Sequence, residues 1–485
     1  MSEAILFGFL RRELMRPVGI VRPRDLTEGS VLHNVISMGV PSMIGFATTT
    51  VCALFDIYFL GLIGSGAVAA MTLFVAFSGV LSTTNSLVGS GSVSVISRRY
   101  GERDYRGTEN AIKQTLLLKF GFAVLAGGVG LLLLRWVLLW MNAEPRVAAL
   151  GFEYGLWMFI GLPFNFCSWS MFTAFRGMGD ARRAMYLMVL TTGLNIILAP
   201  LMMFHSLPFS LHIGAWEILR KGAGIGLGLG ISGSAIAKGI SLLVCCIVGL
   251  LMLRSPRMSV RFRLLKGWKP DLNVMARILK IGTPPWLEGI ARSVAGFATA
   301  YFVALFGTTV VAAYGFATQI LGFTVIFAVG MGLGSSAIVG HCLGAGRKQM
   351  ARKTVNTAIA VAFSMCAPIA AGIFIFAPQV MSGFTADAAV VKVAIIALKI
   401  MAFSALLQSV RIVLASAFNG SGDTLPPTVI GLSAEALRLS LLAVAIYVFS
   451  ASETVIWWAF IAGSVFDTLL IASWYKKGRW LERKV

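Results

Sequence analysis

Asp56 is an acidic residue inside a long apolar stretch, residues 35–62, and it is the first candidate for chemistry in this sequence. It lies six residues before Leu62, about 9 Å of helix from the end of the stretch. An ionisable side chain inside a membrane span costs at least about 2.5–3.5 kcal/mol to insert, which favours a functional role. Burial favours the protonated carboxyl, so Asp56 is a candidate proton carrier. A structural partner for a helix end or a neighbouring amide is the alternative.

Asn195 and Lys238 lie at a similar depth in two later apolar stretches, so both could meet Asp56. The Asn195 amide could hydrogen-bond the carboxylate or coordinate sodium, although an ordinary interhelical contact worth about 0.6 kcal/mol explains it nearly as well. The Lys238 ammonium could pair with Asp56 and would then compete with sodium for the same oxygens. We therefore predict cation coupling at Asp56, Asn195 and Lys238, with protons favoured over sodium and no other cofactor.

A second set of ionisable residues lies in the apolar stretches of the C-terminal half. Its members are Glu288, Arg292, Arg411, Glu435, Arg438 and Asp467. Glu288 and Arg292 are four residues apart on one helix face and can pair. The set could be a mutually satisfied ion-pair network or the lining of a substrate cavity, and the sequence favours neither. As a cavity, its arginines would suit an anionic or zwitterionic headgroup.

Pro41, Pro284 and Pro285 lie in the first turns of two predicted helices and interrupt their hydrogen-bond ladders. They are candidate hinges, although static kinks are the commoner outcome. The six cysteines lie in apolar segments without a C-x-x-C pair, and the four histidines form no cluster with carboxylates. The sequence therefore predicts no metal site.

The composition requires a membrane around these residues. Of 485 residues, 57% are hydrophobic and 13% charged, and the mean hydropathy is +0.84. A soluble domain has about a quarter of its residues charged. Soluble enzymes, nucleic-acid binders and disordered scaffolds are excluded, and the net charge of +21 belongs to loops between apolar runs.

Twelve apolar segments are long enough to span a bilayer. They are residues 35–62, 66–97, 113–140, 147–174, 184–205, 227–253, 278–305, 309–342, 353–377, 388–418, 427–449 and 453–474. The tails and loops on one side, here called the basic side, carry 30 Lys and Arg, against five on the opposite side. This asymmetry predicts that both termini of the multi-pass protein are cytoplasmic. We expect the plasma membrane as its location, although the asymmetry itself does not identify the membrane.

The two halves of the chain repeat each other at a shift of 243 residues. Gly39 and Pro41 match Gly282 and Pro284, and FRGMGD at 175–180 matches FNGSGD at 418–423. Each half has an even number of spans, so the halves share one orientation and a pseudo-two-fold axis along the membrane normal. We predict an all-α fold of two six-helix bundles. Its parts are a tail at 1–34, bundles at 35–253 and 278–474, a linker at 254–277 and a tail at 475–485.

The motifs together resemble the multidrug and toxic compound extrusion (MATE) family over nearly the whole chain. They include LFDIYFLGLIG, SVISRRYGERD, FRGMGD, TGLNIILAP and GISGSAIAKGIS in the first half, and IGTPPWLEGIARS, VGHCLGAGRK and FNGSGDT in the second. The resemblance implies a cation-coupled antiporter, not an enzyme, that expels amphiphilic compounds. The family's first-helix aspartate matches Asp56.

Three positions depart from what the resemblance implies. Relatives of the prokaryotic branch have an Asp four residues after Asn195, where this chain has Ala199, and a Thr where it has Lys238. A helix 7 glutamate of the sodium-linked branch falls near Arg292, so an acid role for Glu288 is in doubt. These changes could alter coupling or abolish it.

Three rival functions remain open from the sequence. A flippase or exporter of a lipid-linked or anionic headgroup is favoured by the basic residues in the spans and disfavoured by twelve rather than fourteen spans. A membrane-embedded enzyme lacks a nucleophile–base pair, and a passive channel is opposed only by the repeat. The predicted partners are an amphiphilic small molecule and membrane lipid, with no nucleic acid, for a monomeric protein. Residues 3–16 could form an amphipathic surface helix, and the loop 206–226 an interfacial segment.

Overall fold

The computed structural model describes residues 25–141, 144–206, 211–213, 216–219, 224, 226–255, 258–260, 262–263, 267–385 and 387–483. Residues 3–16, expected to form a surface helix, lie outside this part of the chain, as does most of the predicted tail 1–34. Within the described ranges the secondary structure is helical except for one hairpin. Its strands, β1 (Leu211–Ile213) and β2 (Trp216–Leu219), pair antiparallel in the predicted interfacial loop 206–226.

Fourteen α-helices fill the described ranges. They are α1 (Val31–Ile63), α2 (Ser65–Gly101), α3 (Tyr105–Trp140), α4 (Pro145–Ile160), α5 (Leu162–Gly177), α6 (Ala181–Met203), α7 (Gly230–Arg254), α8 (Leu272–Ala304), α9 (Thr308–Gly344), α10 (Lys348–Ile375), α11 (Ala377–Phe384), α12 (Ala388–Ser421), α13 (Leu425–Tyr447) and α14 (Thr454–Lys476). A short 3₁₀ helix, Arg479–Leu481, follows α14.

These helices form twelve spans in two six-helix bundles, which confirms the predicted fold class. Ten of the helices are individually long and apolar enough to cross a membrane, and α4 with α5 forms one further span bent by 48°. The bend falls at Gly161, two residues before Pro163, which has no N–H to continue the hydrogen-bond ladder. The twelfth span is α8, which has 33 residues but is made less apolar by its prolines and charged side chains.

Matched glycines bring the two bundles together on the basic side. A Cβ atom added at Gly334 of α9 would collide with the backbone of Gly39 in α1. The repeat-related contact is present as well, since a Cβ at Gly282 of α8 would collide with the carbonyl of Leu87, one turn before Gly91 in α2. Because Gly39 corresponds to Gly282 and Gly91 to Gly334, the same contact is made twice around a pseudo-two-fold axis.

A second pair of matched contacts lies nearer the ends of the same helices. Gly101 packs on the backbone of His341, and Gly344 packs on the backbone of Arg98. Arg98 and His341 are themselves related by the 243-residue shift. The absence of a side chain at these glycines allows the helices to approach until their backbones touch, so the bundles are closed against each other on the basic side.

The three candidate hinge prolines lie deeper in their helices than the sequence analysis expected. Capping by Ser30 and Asp271 starts α1 at Val31 and α8 at Leu272, ahead of the apolar stretches. Pro41 is thus the eleventh residue of α1 and Pro284 the thirteenth of α8. The expectation of first-turn prolines is wrong because the helices extend beyond the apolar spans. Their role as hinges stays a prediction.

Candidate functional site

Asp56, Asn195 and Lys238 lie in one layer of the N-terminal bundle. Asp56 is seven residues before the end of α1 at Ile63, Asn195 is eight before the end of α6, and Lys238 is eight after the start of α7. Each is therefore about 10–12 Å of helix from the opposite side. Helix α6 packs against both α1 and α7, which brings the three side chains together.

The Asp56 carboxylate has a partner on each oxygen. Asn195 Nδ2 donates a hydrogen bond to Asp56 Oδ1 at 2.9 Å, and Lys238 Nζ lies 2.8 Å from Asp56 Oδ2. Asn195 Nδ2 also lies 3.0 Å from Cys52 Sγ. The ion pair that the sequence analysis expected between Asp56 and Lys238 is thus present and joins α1 to α7.

The two members of this pair differ in how far they are exposed. Asp56 is only 4% exposed, whereas the side chain of Lys238 is 30% exposed. Lys238 lines a cavity of about 130 Å³ with Asn165, Ser82 and Trp157 among its walls. The ammonium therefore lies between a buried carboxylate and an accessible space.

Ala199 leaves this layer with a single acid. The residue is fully buried in an apolar cluster that includes Phe59, Leu60 and Met203. Its methyl group lies where the resemblance implies a second carboxylate. Among the described residues, moreover, no group of three His, Cys, Asp or Glu side chains is arranged to hold a metal ion.

The charged residues of the C-terminal bundle form one connected network. Arg411 of α12 pairs with Glu288 of α8 and lies 3.0 Å, Nε to Oδ2, from Asp467 of α14. Arg292 Nη2 also pairs with Glu288 Oε1 at 2.7 Å, and its Nη1 lies 3.9 Å from Glu435 Oε1. These contacts join α8, α12, α13 and α14.

Arg438 completes the network on α13. Its Nη2 lies 2.7 Å from Glu435 Oε2 and donates to Thr299 Oγ1 at 3.2 Å. Its guanidinium carbon lies 4.5 Å from the ring centroid of Phe460, within cation–π range. Three arginines thus meet three carboxylates. The geometry favours the ion-pair network over the alternative of arginines free to line a substrate cavity.

Two buried cations that the sequence analysis did not single out lie elsewhere. Lys119 of α3 is 1% exposed and Arg176 at the end of α5 is 4% exposed. Both line a cavity of about 350 Å³ between the bundles. The rule that selected Asp56, an ionisable residue within an apolar span, also applies to Lys119. Arg176 belongs to FRGMGD, whose pattern is typical of a turn, so the sequence did not indicate that its side chain is buried.

Taken together, the fold and the site define a duplicated, twelve-span helical membrane protein with ionisable residues buried in both bundles. The MatE family model matches residues 41–201 and 284–444, two segments related by the same 243-residue shift as the repeat. The chain belongs to the MatE family, whose members are transporters and not enzymes.

Individual relatives are distant but cover most of the chain. Multidrug export protein MepA of Staphylococcus aureus is 24% identical over 90% of this chain and 91% of its own. Probable multidrug resistance protein YoeA of Bacillus subtilis is 25% identical over 77% of each. A crystal structure of MATE in the bent conformation superposes with a TM-score of 0.84 at 23% identity, covering 94% of this chain and 97% of that one.

Proposed function

We propose that the protein is a proton-coupled antiporter that exports amphiphilic small molecules by alternating access of its two bundles. The observation that carries the coupling is the pairing of the buried Asp56 carboxylate with Lys238 and Asn195. Export of drug-like molecules is supported by the family and by the names of its relatives MepA and YoeA.

The proposed setting is the bacterial plasma membrane, with the basic side and both termini in the cytoplasm. The excess of Lys and Arg in the basic-side loops supports this orientation. The glycine contacts then close the protein toward the cytoplasm, which corresponds to the state that releases substrate outward. The substrate and the surrounding lipid are the partners of a protein that acts as a monomer.

The ion pair between α1 and α7 supports proton coupling by the following cycle. A proton that enters from the opposite side adds to Asp56 and neutralises the carboxylate. The neutral carboxyl no longer attracts the Lys238 ammonium, which is free to turn into the adjoining cavity. The tie between α1 and α7 is thereby broken, and loss of the proton to the cytoplasm restores it. Each proton cycle thus switches a contact within the N-terminal bundle.

Lys238 also argues against sodium as the coupling ion. Its ammonium lies 2.8 Å from the carboxylate, in the place that a coordinated cation would need. The second acid that would strengthen a sodium site is replaced by the buried Ala199. A sodium ion would therefore have to displace a tethered cation and would find one carboxylate only, so protons are favoured.

The proposal is tested by imposing the two ion gradients separately. Proteoliposomes that contain the purified protein are loaded with a fluorescent cationic dye. A proton gradient or a sodium gradient is then applied across the vesicle membrane. Uphill dye movement driven by the proton gradient alone is the expected result. Movement driven by sodium alone, or movement that ignores both gradients, would overturn the proposed coupling.

A further inference from the structure

The cavity lined by Lys119 and Arg176 lies at the junction of the two bundles. The N-terminal bundle supplies both cations and Asn85, and the C-terminal bundle supplies Ser336 and Asn419. The volume of about 350 Å³ leaves room for a ligand group. Because the walls come from both bundles, the cavity is complete only while the bundles are closed on the basic side.

The two cations are buried without a carboxylate. No Asp or Glu is among the described residues that line this cavity. Nε and Nη1 of Arg176 have no hydrogen-bond partner within the described structure, and its guanidinium carbon lies 5.7 Å from the ring centroid of Phe46. A buried charge without a counter-charge is strongly unfavourable. An anion in the cavity would supply that counter-charge.

The contrast with the C-terminal network strengthens this assignment. There, each of three arginines meets a carboxylate, so burial of the charges is compensated within the protein. Around Lys119 and Arg176 the described residues that line the cavity include no such compensating carboxylate. A planar guanidinium with free nitrogens matches a phosphate oxygen pair, and the Lys119 ammonium lines the same cavity. The amides of Asn85 and Asn419 and the hydroxyl of Ser336 can bind the remaining phosphate oxygens.

We propose that this cavity is an anion site that binds a phosphate group, either as the headgroup of an amphiphile or as a free ion. As a binding site it stands independently, and as a substrate site it rests on the proposed transport function. Bound phosphate bridges the two bundles and stabilises the state that is closed on the basic side. When the bundles move apart, Lys119 and Arg176 separate from Ser336 and Asn419, and the anion is released.

Direct binding to the full-length protein in a neutral detergent tests the proposal. Isothermal titration calorimetry is run with dodecyl phosphate, with dodecyltrimethylammonium and with inorganic phosphate, each below any micelle-forming concentration. Dodecyl phosphate is expected to bind more tightly than its cationic counterpart. Tight binding of inorganic phosphate as well identifies a free-anion site, whereas binding of dodecyl phosphate alone identifies a headgroup site.

Four variants test whether the phosphate probe binds in this cavity or elsewhere on the protein. Lys119→Gln and Arg176→Gln should each raise the Kd of the bound phosphate probe about 10- to 100-fold, because each removes a charge-assisted contact. Arg135→Gln is the matched control, since Arg135 is an exposed basic residue on the same helix as Lys119. Arg176→Lys keeps the charge but loses the planar fork, so it should raise the Kd above the wild-type value by less than Arg176→Gln does. It replaces Arg176→Gln where that variant folds poorly.

Three results would overturn the site. They are equal affinity for the anionic and cationic dodecyl probes, no heat from either phosphate probe, and an unchanged Kd in folded Lys119→Gln. Dye export under a proton gradient is measured on the same preparations. Intact export together with no phosphate binding overturns the anion site alone, while phosphate binding without any gradient-driven export overturns the transport proposal alone.

Discussion

Lys238 Nζ lies 2.8 Å from Asp56 Oδ2 and connects α7 to α1 about two turns below the opposite side. The carboxylate is buried, whereas the ammonium borders a cavity. The buried carboxylate therefore needs a counter-charge, and the ammonium that supplies it has space to move into the adjoining cavity.

Removal of Lys238 alone should destabilise the protein more than removal of both charges. Lys238→Met leaves the buried Asp56 without a cation, which we expect to cost about 1–3 kcal/mol, less than for a fully buried pair because Lys238 is partly exposed. The double variant Asp56→Asn/Lys238→Met should recover most of this loss. Thermal unfolding of Asp56→Asn, Lys238→Met and the double variant measures the coupling energy between the two residues. Purely additive effects would show that the ion pair contributes nothing to stability.

Sodium should acquire an effect once Lys238 is gone. The vacated position beside Asp56 and the Asn195 amide can accept a monovalent cation, so Lys238→Met should be stabilised by sodium chloride relative to choline chloride. The wild-type protein should respond to the two salts equally. A sodium-specific rise in the Tm of the wild type would contradict the idea that Lys238 occupies the cation position.

The C-terminal network should depend on its buried arginine. Arg411→Met removes the cation that pairs with Asp467 and leaves Glu288 with Arg292 alone, with an expected loss of about 3–5 kcal/mol. Arg292→Gln is the matched control, since its side chain is 46% exposed and should contribute about 0–1 kcal/mol. Similar losses of stability for the two variants in thermal unfolding would show that the buried arginine of the network does not stabilise the C-terminal bundle more than the exposed one.

Closure on the basic side should depend on Gly91. A Cβ there would collide with the carbonyl of Ile278, so Gly91→Ala should part the bundles and abolish export. Ser97→Cys, placed in the buried contact with Gly340, should then become reactive to a maleimide added from the basic side. Gly121→Ala, at a position in open space, is the control and should leave both export and labelling unchanged.

Asp25 should contribute to stability only above acidic pH. Burial raises the pKa of its carboxyl, but hydrogen bonds from Thr27 and the charges of Arg103 and Arg347 outweigh this and hold the pKa below its ordinary value. A lowered pKa stabilises the fold above the unfolded value of about 3.9, and this contribution is lost as the pH falls through the folded pKa. Asp25→Asn should therefore lower the Tm at pH 7, and the difference should shrink below about pH 4.

Much of the fold could be predicted because a membrane span imposes a minimum apolar length and because the repeat leaves matching glycines. Gly39 and Gly282 were recognised as a pair in the sequence, and the structure shows both at the junction of the bundles. The bend at Gly161 was not predicted, since the apolar stretch 147–174 continues through it. Span length alone does not reveal where a helix changes direction.

The candidate site could be predicted only in part. Counting residues from the helix ends places Asp56, Asn195 and Lys238 at one depth, and that reasoning needs no knowledge of packing. Whether Arg411 is paired or Arg176 is unpaired depends on helices distant in the sequence. The sequence therefore left the arginines of the second half between two interpretations and missed the cations that lack a partner.

Uphill dye export by Asp56→Asn proteoliposomes tests the central claim most directly. Glu153→Gln is the matched control, because it removes an exposed carboxylate from another helix of the same bundle. We expect a proton gradient to drive export by the wild type and by Glu153→Gln, whereas Asp56→Asn of equal folding and yield should lose this export. Full proton-driven export by Asp56→Asn would contradict Asp56 as the proton carrier.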